Sequence, residues 1–279
     1  MSESKKLSLS RRGALTSLAG LGLAASLLPT LARPAAAQTA APAAGGKTFV
    51  MVHGANNGGY VWKYVAARLR AKGHMVYTPT LSGLADRSHL MSKDISLETH
   101  VMDVVNLIKW EDLRNITLVA HSYGGWPGSA VPERIGEAIG SIIFLDAFMP
   151  DDGRKGLDLN SPQSKKDVLA AIEKGEVSRP PRGGEPSPTM TPEDRAWLAS
   201  KATAQPIGVS LDPIKLTGAR DRIAKRAYIR ARGYPNPNFD DAYNACKAKG
   251  YSVFEVPCGH SVQVEMPDRL TEILLQVSA

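Results

Sequence analysis

Cysteine is scarce in this chain of 279 residues, in which only Cys246 and Cys258 are present. An oxidising compartment would permit a disulfide between them, but nothing in their spacing requires one. The simpler expectation is two small core residues, and a disulfide stays open as the alternative.

Excess charge is also small once the N-terminus is set aside. The formal net charge is +7, and about +4 of it lies in the first 37 residues, which leaves roughly +3 for the remainder. This balance is too weak to predict a nucleic acid as a partner. Internal repeats are absent, and the length suits one large domain with a sizeable core.

The N-terminus has the composition of an export signal. A basic segment precedes a short apolar run over 14–28, and three alanines at 35–37 stand before Gln38, where cleavage is expected. The basic residues are Lys5, Lys6, Arg11 and Arg12.

The string SRRGAL at 10–15 resembles a bacterial twin-arginine signal, although Ala14 and Thr16 depart from the usual residues. We therefore expect a signal peptide over 1–37, a flexible leader over 38–46 and a periplasmic or secreted protein. An uncut membrane anchor is the alternative, but the apolar run is short for a span. Since no cysteine follows the expected cleavage site, a lipoprotein is not favoured, and no stable membrane anchor should remain.

Strand and helix patterns alternate along the rest of the chain. This alternation predicts an α/β fold over 47–279, with a mostly parallel sheet, helices on both faces and ligand binding at the C-terminal strand ends. Predicted strands cover 47–53, 74–80, 116–120, 141–145, 227–231 and 251–256. Predicted helices cover 60–72, 96–110, 239–249 and 267–277.

The alternation is interrupted over about 151–222, a proline-rich segment with predicted helices at 165–174 and 192–202. We expect a helical cap inserted over the strand ends. A disordered linker is the alternative, but apolar residues such as Trp197 and Leu198 require a surface to pack on.

The string NITLVAHSYGG, at 115–125, predicts a buried strand followed by a tight turn and a helix. Such a turn exposes the hydroxyl of Ser122 as a nucleophile, in the arrangement called the nucleophile elbow. The usual pattern is G-x-S-x-G, and here Ala120 replaces the first glycine.

A serine hydroxyl needs a neighbouring base, and His260 is the best placed of six histidines. It follows the last predicted strand and so comes out at the same sheet edge as Ser122. His53 and His121 are expected to line the site or to satisfy backbone groups.

The base needs a carboxylate partner, and two places fit the chain order serine, acid, histidine. Asp146 ends the strand 141–145 in an apolar string, where an unpaired carboxylate would be costly. Asp240 and Asp241 lie in the first turn of a predicted helix, where carboxylates are common. We favour Asp146 and keep the other two as alternatives.

Backbone amides must stabilise the oxyanion of an attacked carbonyl. In this topology they belong to the residue after the nucleophile, Tyr123, and to the loop after the first strand, where Ala55 is the expected donor. The glycines of this loop do not form a phosphate loop, because the Lys-Ser/Thr ending and the dinucleotide spacing are both missing.

With these residues in place, the chain resembles the alpha/beta hydrolase family over nearly all of 47–279. Within the family it resembles the branch that includes plant methyl esterases, hydroxynitrile lyases and bacterial pyrethroid-hydrolase-like carboxylesterases. The strings that carry the resemblance are FVMVHGANNGGYVW, LVAHSYGG, FLDAFMPDDG and CGHSVQVEMPDRL.

The resemblance implies Ser122 as nucleophile, His260 as base, and Ala55 and Tyr123 as oxyanion donors. The acid departs from it: many members carry Asp after the strand matching 227–231, where this chain has Gly233-Tyr234. Other hydrolases place the acid one strand earlier, at the position of Asp146.

The expected function is hydrolysis of a small carboxylic ester through an acyl-enzyme, with no metal or cofactor. A hydroxynitrile lyase is less favoured, because those enzymes tend to carry Thr at Gly54 and Lys at Ser261. A ligand-binding protein that keeps the hydrolase fold is the third hypothesis.

The expected substrate contacts come from strand-end loops and from the insertion, and their apolar character suggests a hydrophobic acyl or alcohol group. Trp197 is equally compatible with packing inside the insertion. The contacts are Asn56, Asn57, Trp126, Phe148, Met149 and Trp197.

Overall fold

Apolar, β-branched runs form the strands of one parallel sheet in the computed structural model, which describes residues 45–159, 161–181 and 187–279. The strands are β1 (Thr48–Val52), β2 (Met75–Tyr77), β3 (Ile116–His121), β4 (Ile139–Leu145), β7 (Lys225–Ala231) and β8 (Ser252–Val256). Their order in the sheet is β2-β1-β3-β4-β7-β8, and neighbouring strands pair in parallel.

Helices cover both faces of the sheet. They are α1 (Lys63–Ala71), α2 (Leu97–Trp110), α3 (Gly125–Ala130), α4 (Pro132–Ile135), α8 (Pro237–Ala248), α9 (Val262–Glu265) and α10 (Pro267–Ser278). Among the described residues, no helix is long and apolar enough to cross a membrane. The predicted α/β architecture is confirmed.

The period of two along each strand divides the core into two layers. Val50 and Val52 point into a layer covered by α2, α3 and α8, whereas Phe49 and Met51 point into a layer covered by α1 and α10. Since both faces are buried at the centre of the sheet, β3 and β4 are mostly apolar without alternation, as is typical of parallel sheets.

The segment 151–222, called here the insertion, departs from the strand–helix alternation. It contains α5 (Pro162–Glu173), a short antiparallel pair β5 (Ser178–Arg179) and β6 (Gln205–Pro206), α6 (Pro192–Lys201) and α7 (Ala219–Arg222). Its two predicted helices correspond to α5 and α6. Prolines at the first position and the Ser161 and Thr191 caps begin both helices.

The predicted signal peptide and its cleavage site lie outside the described residues. The two cysteines are both free and buried. Cys246, on α8, belongs to one core layer, and Cys258, after β8, belongs to the other. They therefore serve as small core residues.

The sheet order creates a crevice between β1 and β3. After β1 the chain passes to β2, which pairs with one side of β1, whereas β3 pairs with the other side. The loops that follow β1 and β3 therefore leave the C-terminal edge of the sheet in different directions. Ser122 and Gly54 meet at this edge.

Ala120 replaces the usual glycine of the elbow because its partner in α3 is a glycine. A Cβ added to Gly128 would lie 2.6 Å from the Cβ of Ala120, well inside van der Waals contact. Because Gly128 has no side chain, α3 leaves room for the methyl group of Ala120.

We expect Gly128→Ala to lower the free energy of unfolding by about 1–3 kcal/mol, because an extra methyl group overpacks this contact. Ala120→Gly combined with Gly128→Ala should recover more than half of the loss in urea unfolding. Gly136→Ala is the matched control, since a Cβ there meets nothing within 4 Å. A Gly128→Ala protein as stable as the wild type would contradict this account of the packing.

Candidate active site

The turn after β3 holds Ser122 in a strained conformation that directs its hydroxyl toward His260. Ser122 has φ +53°, in the left-handed region that L residues avoid at a cost of about 1–2 kcal/mol. The following backbone is packed too closely for side chains: a Cβ on Gly124 would lie 2.8 Å from the carbonyl oxygen of His53. The two glycines after the serine therefore permit the turn.

Ser122, His260 and Asp146 form a continuous series of hydrogen bonds. Ser122 Oγ lies 2.8 Å from His260 Nε2, and His260 Nδ1 lies 2.7 Å from Asp146 Oδ2. An ionised carboxylate only accepts hydrogen bonds, so Nδ1 carries the proton and Nε2 is left to accept the serine hydroxyl. This is the protonation state that a general base requires.

Asp146 is completely buried and its other oxygen is also satisfied. Oδ1 accepts hydrogen bonds from Arg230 Nη1 at 2.7 Å and from the amide of Ala231 at 3.0 Å. Like Ser122, Asp146 has a positive φ, +42°, where the chain turns sharply away from β4.

The alternative acids do not contact His260. Asp240 accepts hydrogen bonds from Arg230 and Arg232. Asp241 is exposed and lines a separate cavity of about 270 Å³. The structure thus brings Asp146, and neither of the two α8 carboxylates, to the histidine.

The expected oxyanion donors flank Ser122. A Cβ on Gly54 would lie 2.9 Å from Ser122 Cβ, so the Gly54–Ala55 backbone passes directly beside the serine. On the other side, the buried Tyr123 hydroxyl lies 2.8 Å from His100 Nδ1. This hydrogen bond holds Tyr123, the residue after Ser122, in place.

His100 and His53 are buried and neutral. His100 Nε2 donates to the Ser82 carbonyl, which leaves Nδ1 to accept the Tyr123 hydroxyl. His53 donates from Nδ1 to the Gly54 carbonyl and accepts the Leu81 amide at Nε2. Burial lowers the pKa of both histidines to about 4.

His121 packs against the imidazole of His260 and binds its carbonyl. Its ring centroid lies 4.6 Å from that of His260, and its Nε2 donates to the His260 carbonyl at 2.9 Å. Burial holds the pKa of His121 well below its ordinary value, and its buried Nδ1 has no hydrogen-bond partner in the described part of the chain. His121 therefore adds no positive charge beside His260.

Two aromatic rings also pack against the imidazole of His260. Tyr234 stacks on the imidazole at 4.5 Å between centroids, and Phe239 lies at 5.4 Å with nearly parallel planes. Phe148 packs edge-on against Phe239. The rings of Tyr234 and Phe239 thus stack on the imidazole of His260, whose side chain is 24% exposed.

The predicted substrate contacts of the first loop are engaged within the protein. Asn56 binds the insertion, because its amide donates to Gln205 Oε1 and its side chain donates to the Thr203 carbonyl. Asn57 spans its own loop, from the Ala55 carbonyl to the Tyr60 hydroxyl.

The other predicted contacts lie at different depths. Trp126 is buried in the core, whereas Phe148 and Met149 are partly exposed and line the cavity of about 270 Å³. Trp197 attaches the insertion to α1: its ring meets Tyr60, and Lys63 Nζ lies 3.5 Å from its centroid.

Sequence reasoning missed Arg230 and the rings of Tyr234 and Phe239. A charged residue in the otherwise apolar string AYIRA of β7 was the available signal for Arg230. The rings lie in a loop and a helix whose approach to His260 depends on tertiary packing. In the ranges that the structure covers, no three metal-ligating side chains cluster.

The architecture and the serine, histidine and carboxylate in series define a class of proteins, the α/β hydrolases. The chain belongs to the alpha/beta hydrolase family, whose model matches residues 49–273.

Curated relatives agree with this membership. The chain is 34% identical over 237 residues to the carbendazim hydrolyzing esterase of Nocardioides sp. (strain SG-4G), covering 81% of this chain and 97% of that protein. It is 33% identical over 107 residues to methylesterase 4 of Arabidopsis thaliana, covering 38% of this chain and 41% of the plant protein.

Solved structures show the same fold. An extracellular alpha/beta-hydrolase from a Paenibacillus species has a TM-score of 0.70 at 22% identity, covering 83% of this chain and 98% of that one. A pyrethroid hydrolase from Sphingobium faniae JZ-2 has a TM-score of 0.61 at 18% identity, covering 83% and 97%.

Stability should depend on pH through the buried histidines. His53 and His100 stay neutral in the folded protein down to about pH 4 but take up protons near pH 6.5 when unfolded. The unfolded state therefore binds more protons in this window. The free energy of unfolding should fall with decreasing pH by about 1.4 kcal/mol per pH unit for each histidine.

Urea unfolding of His100→Gln between pH 7 and pH 4 measures this contribution. The amide can replace both hydrogen bonds of the ring but does not titrate, so the slope should decrease by about one proton. His89→Gln, at an exposed position, should leave the slope unchanged. An unchanged slope in His100→Gln would contradict the assignment of a neutral buried ring.

Proposed function

We propose that this protein is a serine carboxylesterase that hydrolyses small hydrophobic carboxylic esters through an acyl-enzyme. It is a carboxylic-ester hydrolase of the alpha/beta hydrolase family, the class to which its named esterase relatives belong. The observation that carries the finer proposal is the hydrogen-bonded series from Ser122 Oγ through His260 to Asp146.

Acylation begins with the transfer of the serine proton. Ser122 Oγ attacks the ester carbonyl while His260 Nε2 takes the hydroxyl proton, and Asp146 stabilises the imidazolium. The amides of Ala55 and Tyr123 donate to the tetrahedral oxyanion. His260 then gives its proton to the leaving alcohol, and the acyl group stays on Ser122.

Deacylation repeats the steps with water as the nucleophile. His260 takes a proton from water, the hydroxide attacks the acyl carbonyl, and the Ser122–acyl bond breaks as the proton returns to Oγ. The carboxylic acid leaves, and the enzyme regains its starting state.

The surroundings support this cycle electrostatically. Asp146 is buried, and its Oδ2 lies 2.7 Å from His260 Nδ1, so the carboxylate stabilises the imidazolium at close range without competing water. The adjacent His121 is neutral, so it adds no positive charge beside the imidazolium.

A small, apolar substrate suits the access to the site. Ser122 is only 9% exposed, and Phe148, Phe239 and Tyr234 place aromatic surface around the histidine. Relatives named for carbendazim hydrolysis and as methylesterases support a small ester.

Ser122→Ala should lower the hydrolysis of p-nitrophenyl acetate and butyrate by at least about 10³-fold, because the acyl acceptor is removed. The exposed Ser88→Ala is the matched control and should retain full activity. Unchanged hydrolysis in Ser122→Ala would refute the assignment, and cleavage of mandelonitrile by the wild type would favour a lyase.

We also propose export through the twin-arginine signal at 10–15. Replacing both Arg11 and Arg12 by lysine should retain the full-length precursor in the cytoplasm of a bacterial host that has this pathway. Lys5→Arg with Lys6→Arg is the charge-matched control. Equal periplasmic yield from the Arg11/Arg12 variant, measured by fractionation and N-terminal mass, would contradict the proposal.

A further inference from the structure

Arg230 is a buried cation on β7, a strand with a neighbour on each side. It lies near the C-terminal end of β7, and its side chain is 2% exposed. The pairing of Leu145 with Ile229 places Arg230 beside Asp146 at the edge of the sheet. A guanidinium in such a position is costly unless it is paired and fully hydrogen-bonded.

The guanidinium meets both conditions. Nη1 donates to Asp146 Oδ1 at 2.7 Å and to the Ala231 carbonyl, while Nη2 donates to the Tyr234 carbonyl at 2.9 Å. Nε donates to Asp240 Oδ1 at 2.9 Å. Arg230 thus joins the buried carboxylate of Asp146 to a carboxylate near the surface.

The pairing determines which oxygen of Asp146 faces His260. Arg230 and the Ala231 amide occupy Oδ1, so Oδ2 is the oxygen left for His260 Nδ1. Since two donors hold Oδ1, the carboxylate plane cannot rotate without breaking them.

The loop after β7 cannot supply the carboxylate itself. A Cβ on Gly233 would lie 2.6 Å from the carbonyl oxygen of Cys258, so this position admits glycine alone without a backbone shift. Tyr234 stacks on His260 instead of accepting a hydrogen bond from it.

We propose that Arg230 is the positioning residue that fixes Asp146 as the partner of His260, and that its positive charge sets the pH at which His260 becomes a base. The inference rests on the proposed function, because it concerns the same serine, histidine and carboxylate.

The charged groups that face this pair come from α8, β8, α9 and the residue that follows β7. Asp240 on α8 lies against Arg230, and Arg232, which follows β7, links Asp240 to Glu255. Glu265 on α9 accepts the amide of Gly259, next to the histidine.

The remaining ionisable neighbours are neutral at neutral pH. Burial raises the pKa of Tyr228 well above its ordinary value, raises that of Tyr234, and raises that of Cys258 to about 12. Arg230 is therefore the cation that offsets the charge of Asp146.

Arg230→Gln should move the acidic limb of the kcat/KM profile to higher pH by about one unit. Without the guanidinium, Asp146 stabilises the imidazolium more strongly, so His260 loses its proton at higher pH. Arg230→Lys keeps the positive charge but loses the guanidinium hydrogen bonds that join Asp146 to Asp240. We therefore expect kcat to fall at least about tenfold, while the acidic limb of the profile stays at the same pH.

Asp240→Asn tests the same charge from its other end. Asp240 is 42% exposed, so the substitution should not prevent folding. It leaves the charge of Arg230 less neutralised, and the acidic limb should move to lower pH by a few tenths of a unit at low ionic strength.

NMR titration of the His260 ring gives the same shifts without turnover and separates this inference from the esterase assignment. If Arg230→Gln folds, the inference is overturned when neither the acidic limb nor the His260 titration moves. If Arg230→Gln does not fold, the inference is overturned when the His260 titration in Asp240→Asn does not move. A purely structural role would lower stability without moving either titration. A shifted titration in a protein that hydrolyses no ester would refute the esterase function alone.

Discussion

The ion pair between Asp146 and Arg230 is the interaction on which the site depends. Asp146 is completely buried, so a charge there is tolerated only with a partner. Arg230 Nη1 lies 2.7 Å away and the Ala231 amide completes the same oxygen. Because this pairing is satisfied, the second oxygen can hold the Nδ1 proton of His260, which in turn leaves Nε2 as an acceptor for Ser122.

The parallel sheet makes this meeting possible. β3, β4 and β7 are neighbours, and Ser122, Asp146 and Arg230 stand at or near their C-terminal ends. His260 lies in the loop after β8, and the rings of His121, Tyr234 and Phe239 pack against its imidazole. Strain at Ser122 and Asp146, both with positive φ, is offset by the packed elements on either side.

Much of the candidate site could be predicted from the sequence. Strand ends of a parallel sheet share one edge, so Ser122 and His260 could be placed together from the order of elements. Asp146 was favoured over Asp240 and Asp241 because it ends an apolar strand, not because of the chain order. Arg230 was not predicted, because its role depends on the register between β4 and β7. Asn56 and Asn57 carry loop and insertion hydrogen bonds, which a pattern of residues cannot distinguish from substrate contacts.

We infer that Asp146, acting through His260, raises the nucleophilicity of Ser122. The rate at which a fluorophosphonate labels Ser122, read by peptide mass in Asp146→Asn and Asp240→Asn proteins, tests this inference. Labelling should slow by about 10³–10⁴-fold in Asp146→Asn and by less than about tenfold in Asp240→Asn. Wild-type labelling in Asp146→Asn, or the large loss in Asp240→Asn, would contradict it.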